Sequence, residues 1–193
     1  MSTLPIETER LRIRHFTPED CPAIHAYTGD ARVMTFVPEG VMTQEHTKQF
    51  IAESMTEDAR TYAVDLLAED RLIGHVGFHP WFAPRIYELG WVVHPRYHRQ
   101  GYATEAAAAL LQYGFASLSV HRVIATCQPE NRPSWRVMEK LGMQREGHLR
   151  KCIYRDETTW WDEYFYAILE DEWFNAVGSR ESGVGETPRA ASG

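Results

Sequence analysis

A chain of 193 residues, 44% hydrophobic and 24% charged, has the size and composition of one globular domain with a sizeable core. Its formal charge of −7 repels phosphate backbones, which excludes nucleic acid as a main partner and weakly favours a cationic one. No apolar run approaches the roughly 20 residues of a membrane-spanning helix, and Cys21, Cys127 and Cys152 are too few, odd in number and too widely spaced for a disulfide framework or a Cys-rich metal site. The opening Met1-Ser2-Thr3-Leu4-Pro5-Ile6-Glu7 has no basic segment followed by an apolar stretch, so no secretory signal is read there and a cytoplasmic location is expected.

Arg10-Leu11-Arg12-Ile13-Arg14 alternates polar and apolar residues and predicts a half-buried strand. Thr17-Pro18-Glu19-Asp20 combines an N-cap, a first-turn proline and early acids, which start a helix. Thr43 opens a second helix to about Asp58, with Phe50, Ile51 and Met55 directed inward. Strands follow over Tyr62–Ala68, Leu72–Phe78 and Ile86–Val93, the first two joined by a tight turn at Glu69-Asp70. Pro80 and Pro84 bracket a loop holding Trp81 and Phe82. A helix is expected from about Thr104 to Leu118, and a buried strand over Arg122–Cys127. Asn131 caps a further helix that stops at Leu141-Gly142. Strands around Gln144–Tyr154 and Trp160–Ile168 complete the pattern. From about Val177 the composition shifts to Gly, Ser, Glu and Pro, so residues 1–176 are read as the domain and 177–193 as a disordered tail.

The chemistry concentrates between Glu88 and Ala106. A strand runs into a basic turn, His94-Pro95-Arg96-Tyr97-His98-Arg99-Gln100-Gly101, which opens directly into a helix. Such a turn aims several backbone N–H groups at one spot, and the helix dipole adds positive potential there. Gly101 lets an anion approach the backbone closely, and Arg96, His98 and Arg99 add charge. A pyrophosphate is the anion this arrangement suits, although a glycine before a helix is also a common structural turn. A Walker loop and a dinucleotide fingerprint are both excluded, since neither Gly-Lys-Ser/Thr nor Gly-x-Gly-x-x-Gly is present.

Three segments together carry a resemblance to a known family. His98-Arg99-Gln100-Gly101-Tyr102-Ala103 is similar to the coenzyme A loop Gln/Arg-x-x-Gly-x-Gly/Ala of the GNAT acyltransferases, with His98 in the Gln/Arg position. Asn131-Arg132-Pro133-Ser134 followed by Glu139-Lys140-Leu141-Gly142-Met143 resembles the Asn-x-x-Ser and Glu-Lys-Leu-Gly-Phe elements of the ribosomal-protein N-acetyltransferase (Rim-type) branch, as does the opening Glu7-Thr8-Glu9-Arg10-Leu11-Arg12-Ile13-Arg14. The resemblance covers residues 7 to about 174. It implies an α+β fold: a central mixed, mostly antiparallel sheet of about six or seven strands flanked by about four helices. It also implies direct acetyl transfer from acetyl-CoA to a primary amine, on a peptide or protein N-terminus or on a small molecule. Under it, Val92, Val93, His98, Arg99, Gln100, Gly101, Tyr102, Ala103, Thr104 and Asn131 hold the coenzyme, with Val92 and Val93 offering a backbone N–H to the acetyl oxygen. Ser134 is the available acid for the departing thiolate, because Met138 stands where many relatives carry a tyrosine.

Period-two alternation puts Glu88, Gly90, Val92 and His94 on one face, so Glu88 is the candidate base, acting through water, with His94 next. Each candidate has a plain structural alternative: a solvent-facing or salt-bridged strand residue for Glu88, helix capping for Asn131 and Ser134. The nine histidines are scattered without acidic or cysteine partners, so no metal is expected. Two other readings stay open, a catalytically silent acyl-CoA-binding module and a transferase using another donor such as succinyl-CoA. Nothing in the chain reports oligomeric state, and a homodimer is left open.

Overall fold

The computed structural model describes residues 4–56 and 58–182. Eight strands form one sheet in the order β1-β2-β3-β4-β5-β6-β8-β7. They are β1 (Ile6–Glu7), β2 (Leu11–Arg14), β3 (Thr61–Leu66), β4 (Arg71–Pro80), β5 (Ile86–Val93), β6 (Arg122–Cys127), β7 (Gln144–Asp156) and β8 (Thr159–Leu169). Among the described residues the helices are α1 (Cys21–Thr28), α2 (Ala31–Met34), α3 (Gln44–Ser54), α4 (Tyr102–Ser117), α5 (Arg132–Lys140) and α6 (Glu170–Ser182). The α+β class and the mostly antiparallel sheet agree with expectation; the strand and helix counts are higher. The two-residue β1 and the four-residue α2 are too short to leave a periodic signal.

Every neighbouring strand pair is antiparallel except one. β5 and β6 run parallel, in register at Ile86–Arg122, Tyr87–Val123 and Glu88–Ile124, and their pairing ends there. β5 nevertheless continues to Val93, still paired with β4 up to Val93–Gly74. β6 continues to Cys127, paired with β8 up to Tyr164. The sheet therefore parts down its middle after Glu88.

Each sheet face carries its own core. The larger one packs α4 over Leu11, Ile13, Tyr62, Val64, Ile73, Val76 and Leu89. α4 buries Ala106, Ala107, Leu110, Leu111, Gly114 and Phe115; the expected stripe of Leu110, Leu111, Gly114, Phe115 and Leu118 holds except at Leu118, which lies past the helix end and is 37% exposed. Gly114 is small for a reason: a Cβ there would lie 2.5 Å from Phe78 Cζ, so α4 sits directly on the Phe78 ring. The smaller core, Phe16, Ile24, Tyr27, Ile51, Ala63 and Leu72, holds α1 and α3 on the opposite face. Arg14 braces that side, its guanidinium bonding Asp20 at 2.8 Å and Asp65 at 2.7 Å, with both carboxylates buried. Those bonds hold the guanidinium in its charged form, outweighing the desolvation that opposes it.

Several helix ends follow the local chemistry read from sequence. Asp20 bonds the Thr17 N–H at 2.8 Å in a capping box, and Thr43 Oγ1 accepts from His46 N–H at 3.1 Å. Gly142 takes the left-handed conformation after α5, at φ +84°. Met55, expected to point inward, is 44% exposed, because α3 ends at Ser54 and the chain turns outward. α6 runs past Phe174 to Ser182, so ordered structure extends beyond the expected boundary at residue 176; residues 183–193 lie outside the described residues. α6 is docked, not loose. Trp173 is buried and donates its indole N–H to Gln112 Oε1 at 2.9 Å, and Val177 packs on the main core.

Replacing Trp173 with alanine should therefore lower unfolding free energy by about 3–5 kcal/mol, the usual loss for a buried aromatic side chain. Urea denaturation checks this, and a loss below about 1 kcal/mol would mean that α6 does not close the core.

Candidate active site

The site begins with what the parting strands leave unpaired. Along β5, alternate residues present their backbone groups to opposite neighbours. His94 N–H bonds Ile73 O of β4 at 2.8 Å, whereas Arg85 O accepts from His121 N–H on the β6 side at 2.8 Å. The unbroken β4–β5 register carries this alternation along the strand, so Leu89, Trp91 and Val93 direct their N–H groups toward β6. Beyond Glu88 there is no β6 partner opposite them. Val93 thus directs an N–H toward the gap. Val92 does not: its backbone faces β4, and its side chain lies on the α1–α3 face beside the small core. Trp91, which the sequence reading passed over, shares Val93's direction.

The turn after β5 is built from within. His98 Nε2 donates to Val93 O at 2.8 Å, which ties the turn to the strand end and replaces the family's Gln/Arg with a local bond. Gln100 Nε2 donates to Arg96 O at 3.0 Å. Arg99 and Gly101 take positive φ, +61° and +87°, and Tyr102 begins α4 immediately afterwards. Among the described residues no protein acceptor meets the N–H groups of Arg99, Gln100, Gly101, Tyr102, Ala103 or Thr104. The first bond of the helix is Glu105 N–H to Gly101 O at 3.0 Å. Arg96, His98 and Arg99 are exposed around this spot. A row of unpaired donors at a 16-residue helix's N-terminus, flanked by cations, suits a diphosphate.

Glu88 lies where the strands part, half-buried, and forms no ion pair among the described residues. Burial, and then the nearby charge of Glu163, push its carboxyl above the usual carboxylate range. Such a group is a better base than an exposed carboxylate. Glu163 was missed because it sits in an aromatic-rich late strand. Register settles its face: Ile124 pairs with Ala167 and Thr126 with Phe165, so Glu163 shares the face of Glu88 and Gly90. A Cβ at Gly90 would meet nothing within 4 Å, so the glycine leaves that face open. Aromatic rings wall it: Trp81 packs on Phe165 with centroids 5.5 Å apart, and Phe36 on Trp161 at 5.6 Å.

His94 is unsuited as a base. Its Nδ1 accepts from Arg96 N–H at 3.1 Å, which leaves the neutral ring's proton on Nε2. Burial and the neighbouring His98, Arg96 and Arg71 also lower its pKa. His75 is committed to Tyr27, Nδ1 to hydroxyl 2.7 Å, and burial pulls it down to about 4.

α5 follows β6 across the gap. Asn131 starts it without a side-chain capping bond, correcting the capping alternative and leaving its amide uncommitted to the helix. Ser134 is in the first turn, close to the Cys127 thiol. Burial pushes that thiol up to about 12 despite the opposing effect of Ser134, so it is no nucleophile at neutral pH. Met138 is buried in the main core. Among the described residues no group of acidic, His and Cys side chains is arranged to hold a metal.

With this geometry in view, comparison with known proteins decides the family. Residues 10–144 match the family model described as an acetyltransferase (GNAT) domain. The chain belongs to the GNAT acetyltransferases. An uncharacterized N-acetyltransferase of Bacillus subtilis, YnaD, is 52% identical over 168 residues, covering 87% of this chain and 98% of the relative. A GNAT-family acetyltransferase of Bacillus anthracis, solved by crystallography, superposes with a TM-score of 0.82 at 52% identity, covering 86% of this chain and 98% of that one. The kinship to the ribosomal branch is distant: the uS5-alanine N-acetyltransferase of Escherichia coli is 26% identical over 85 residues, 44% of this chain and 43% of the enzyme. The parted strands and the glycine turn lie at the two ends of the same stretch of β5.

Gly101→Glu should abolish acetyl-CoA binding while the fold survives. The carboxylate opposes the anion, and a side chain at φ +87° costs about 1–2 kcal/mol. Calorimetry on a variant with native circular dichroism should show at least a hundredfold weaker binding; unchanged affinity would remove the turn from the donor site.

Proposed function

We propose that this GNAT domain transfers an acetyl group from acetyl-CoA directly to a primary amine, with Glu88 as the base. The observation that carries the reading is the parting of β5 from β6 immediately after Glu88, with the glycine turn at the far end of the same strand. One gap thus joins a diphosphate-binding turn to a half-buried carboxylate. In this reading the donor's diphosphate lies on the N–H groups of residues 99–104, and its pantetheine arm enters the gap along β5. Asn131 borders the arm from α5.

The thioester oxygen accepts from Val93 N–H, which favours the oxyanion as the amine adds to the carbonyl carbon. The carbon–sulfur bond breaks and its electron pair leaves on sulfur. The nitrogen loses a proton through water to Glu88. Coenzyme A's thiol is comparable to a free cysteine, with pKa about 8.5, so its thiolate leaves without a strong acid, and Ser134 assists. Met138 cannot donate a proton. Direct transfer is favoured over an acyl-cysteine, because the Cys127 thiol is pushed up to about 12. Cationic acceptors suit a face where Glu88 and Glu163 stand among Trp81, Phe165 and Trp161. Peptide N-termini and small amines both fit that description. The site of action proposed is the cytoplasm. A thiol-release screen of peptides and small amines against several acyl-CoAs tests the reading: acetyl-CoA turnover with at least one amine is expected, and its absence across the panel would favour a silent binding module.

Glu88→Gln should reduce kcat by about 10²–10⁴-fold with little change in acetyl-CoA affinity. The wild-type rate should rise with pH through a limb above the ordinary carboxylate range, since burial and the charge of Glu163 favour protonated Glu88 at lower pH. The glutamine variant should lack that limb and regain rate as the amine itself deprotonates toward pKa about 10. Wild-type turnover by the variant at neutral pH would exclude Glu88. Ser134→Ala should slow turnover tenfold or less, and a loss above about a thousandfold would assign the hydroxyl a larger part.

A further inference from the structure

Glu105 poses an electrostatic problem. It stands in the first turn of α4, beside the N–H groups that the donor's diphosphate would occupy, where a carboxylate repels the ligand. Its bonding accounts for it. Oε1 accepts from Thr8 Oγ1 at 2.6 Å and from Arg10 N–H at 3.0 Å, while Oε2 accepts from Arg10 Nε at 2.7 Å. Arg10 is fixed in turn: its NH1 donates to Gln100 O at 3.1 Å, and its guanidinium lies over the Tyr102 ring, 4.6 Å from the centroid. Residues 8–10 are thereby joined to the turn and the start of α4 across 90 or more positions of sequence.

The bond to Gln100 O has a directional result. In a trans peptide the carbonyl and the following N–H point opposite ways. Holding Gln100 O toward Arg10 turns the Gly101 N–H away from Arg10. At Gly101 the backbone is left-handed, where the peptide plane has few other restraints. The glycine also makes room, since a Cβ there would lie 3.3 Å from Arg10 NH2.

We infer that Arg10 and Glu105 are a positioning pair that sets the donor-binding conformation of the 98–104 turn, which makes the segment before β2 a working part of the donor site. The inference rests on the donor reading above. It separates sharply from a charge effect. If only net charge at the turn mattered, Glu105→Gln would tighten acetyl-CoA binding by removing a repulsive carboxylate. A positioning role gives the opposite sign, because the glutamine amide presents N–H groups to a guanidinium that has only donors.

The test compares acetyl-CoA with S-acetylpantetheine, which lacks the diphosphate, as donors for wild type, Glu105→Gln and Arg10→Lys. For both variants the expected result is a KM for acetyl-CoA raised about tenfold or more, with kcat at saturating donor, melting temperature and the S-acetylpantetheine kcat/KM nearly unchanged. Arg10→Lys keeps the charge but cannot bond Glu105 and Gln100 together, so it should not rescue. Unchanged or tighter acetyl-CoA binding by a folded Glu105→Gln variant overturns the inference, as does an equal loss with both donors. Wild-type enzyme that uses the two donors equally well would overturn the donor reading and this inference with it. Normal discrimination by wild type and both variants alike would overturn the inference alone.

Discussion

The separation of β5 from β6 is the constraint on which the rest of this molecule depends. Three registered pairs hold the two strands together, and then a parallel ladder that could continue does not. Backbone N–H groups left without a protein partner need another acceptor, so a sheet opened in this way offers a polar edge along β5. Both halves of the sheet are secured elsewhere, β5 through β4 and β6 through β8, which keeps the opening from closing by simple collapse.

The helices complete what the opening starts. α4 leaves the end of β5 with its N-terminus at the mouth of the gap, and the Gly114–Phe78 contact seats it against the sheet. α5 leaves β6 in the same way on the other side. A donor molecule entering the gap therefore meets two helix N-termini and one free strand edge, all fixed by the main core. In the proposed reading the acceptor meets a different surface, the α1–α3 face, where Glu88, Glu163 and aromatic rings stand.

What the sequence made legible follows from how local each signal is. The bounds of β5 and β6 and the end of α5 at Gly142 were readable because apolar runs and a left-handed glycine act within a few residues. The glycine turn before α4 was readable because a contiguous motif forms it. Glu88 was placed by alternation alone. Glu163 was not, since its partnership with Glu88 arises from the pairing of β6 with β8, which no local pattern encodes. The same holds for Arg10, whose partners Gln100 and Glu105 are distant in sequence. Asn131 shows the reverse error: a residue with strong capping preference starts the helix without using its side chain as a cap. α6 runs past the point where the composition turns Gly/Ser-rich, because its packing on the main core continues to Val177.

The two cores on opposite faces have a consequence for how this enzyme can diverge. The large one fixes the strands and α4, and with them everything that meets the donor. The walls of the acceptor side rest on a cluster of six buried residues, tied down mainly by Arg14 between Asp20 and Asp65. Local opening is easiest where few apolar contacts must be broken, so amide exchange in α1 and α3 should outpace that in α4 and β5. Substitutions that reshape α1–α3 disturb a small, nearly separate unit. In the proposed reading, acceptor preference can drift under selection while the apparatus for the donor is inherited intact.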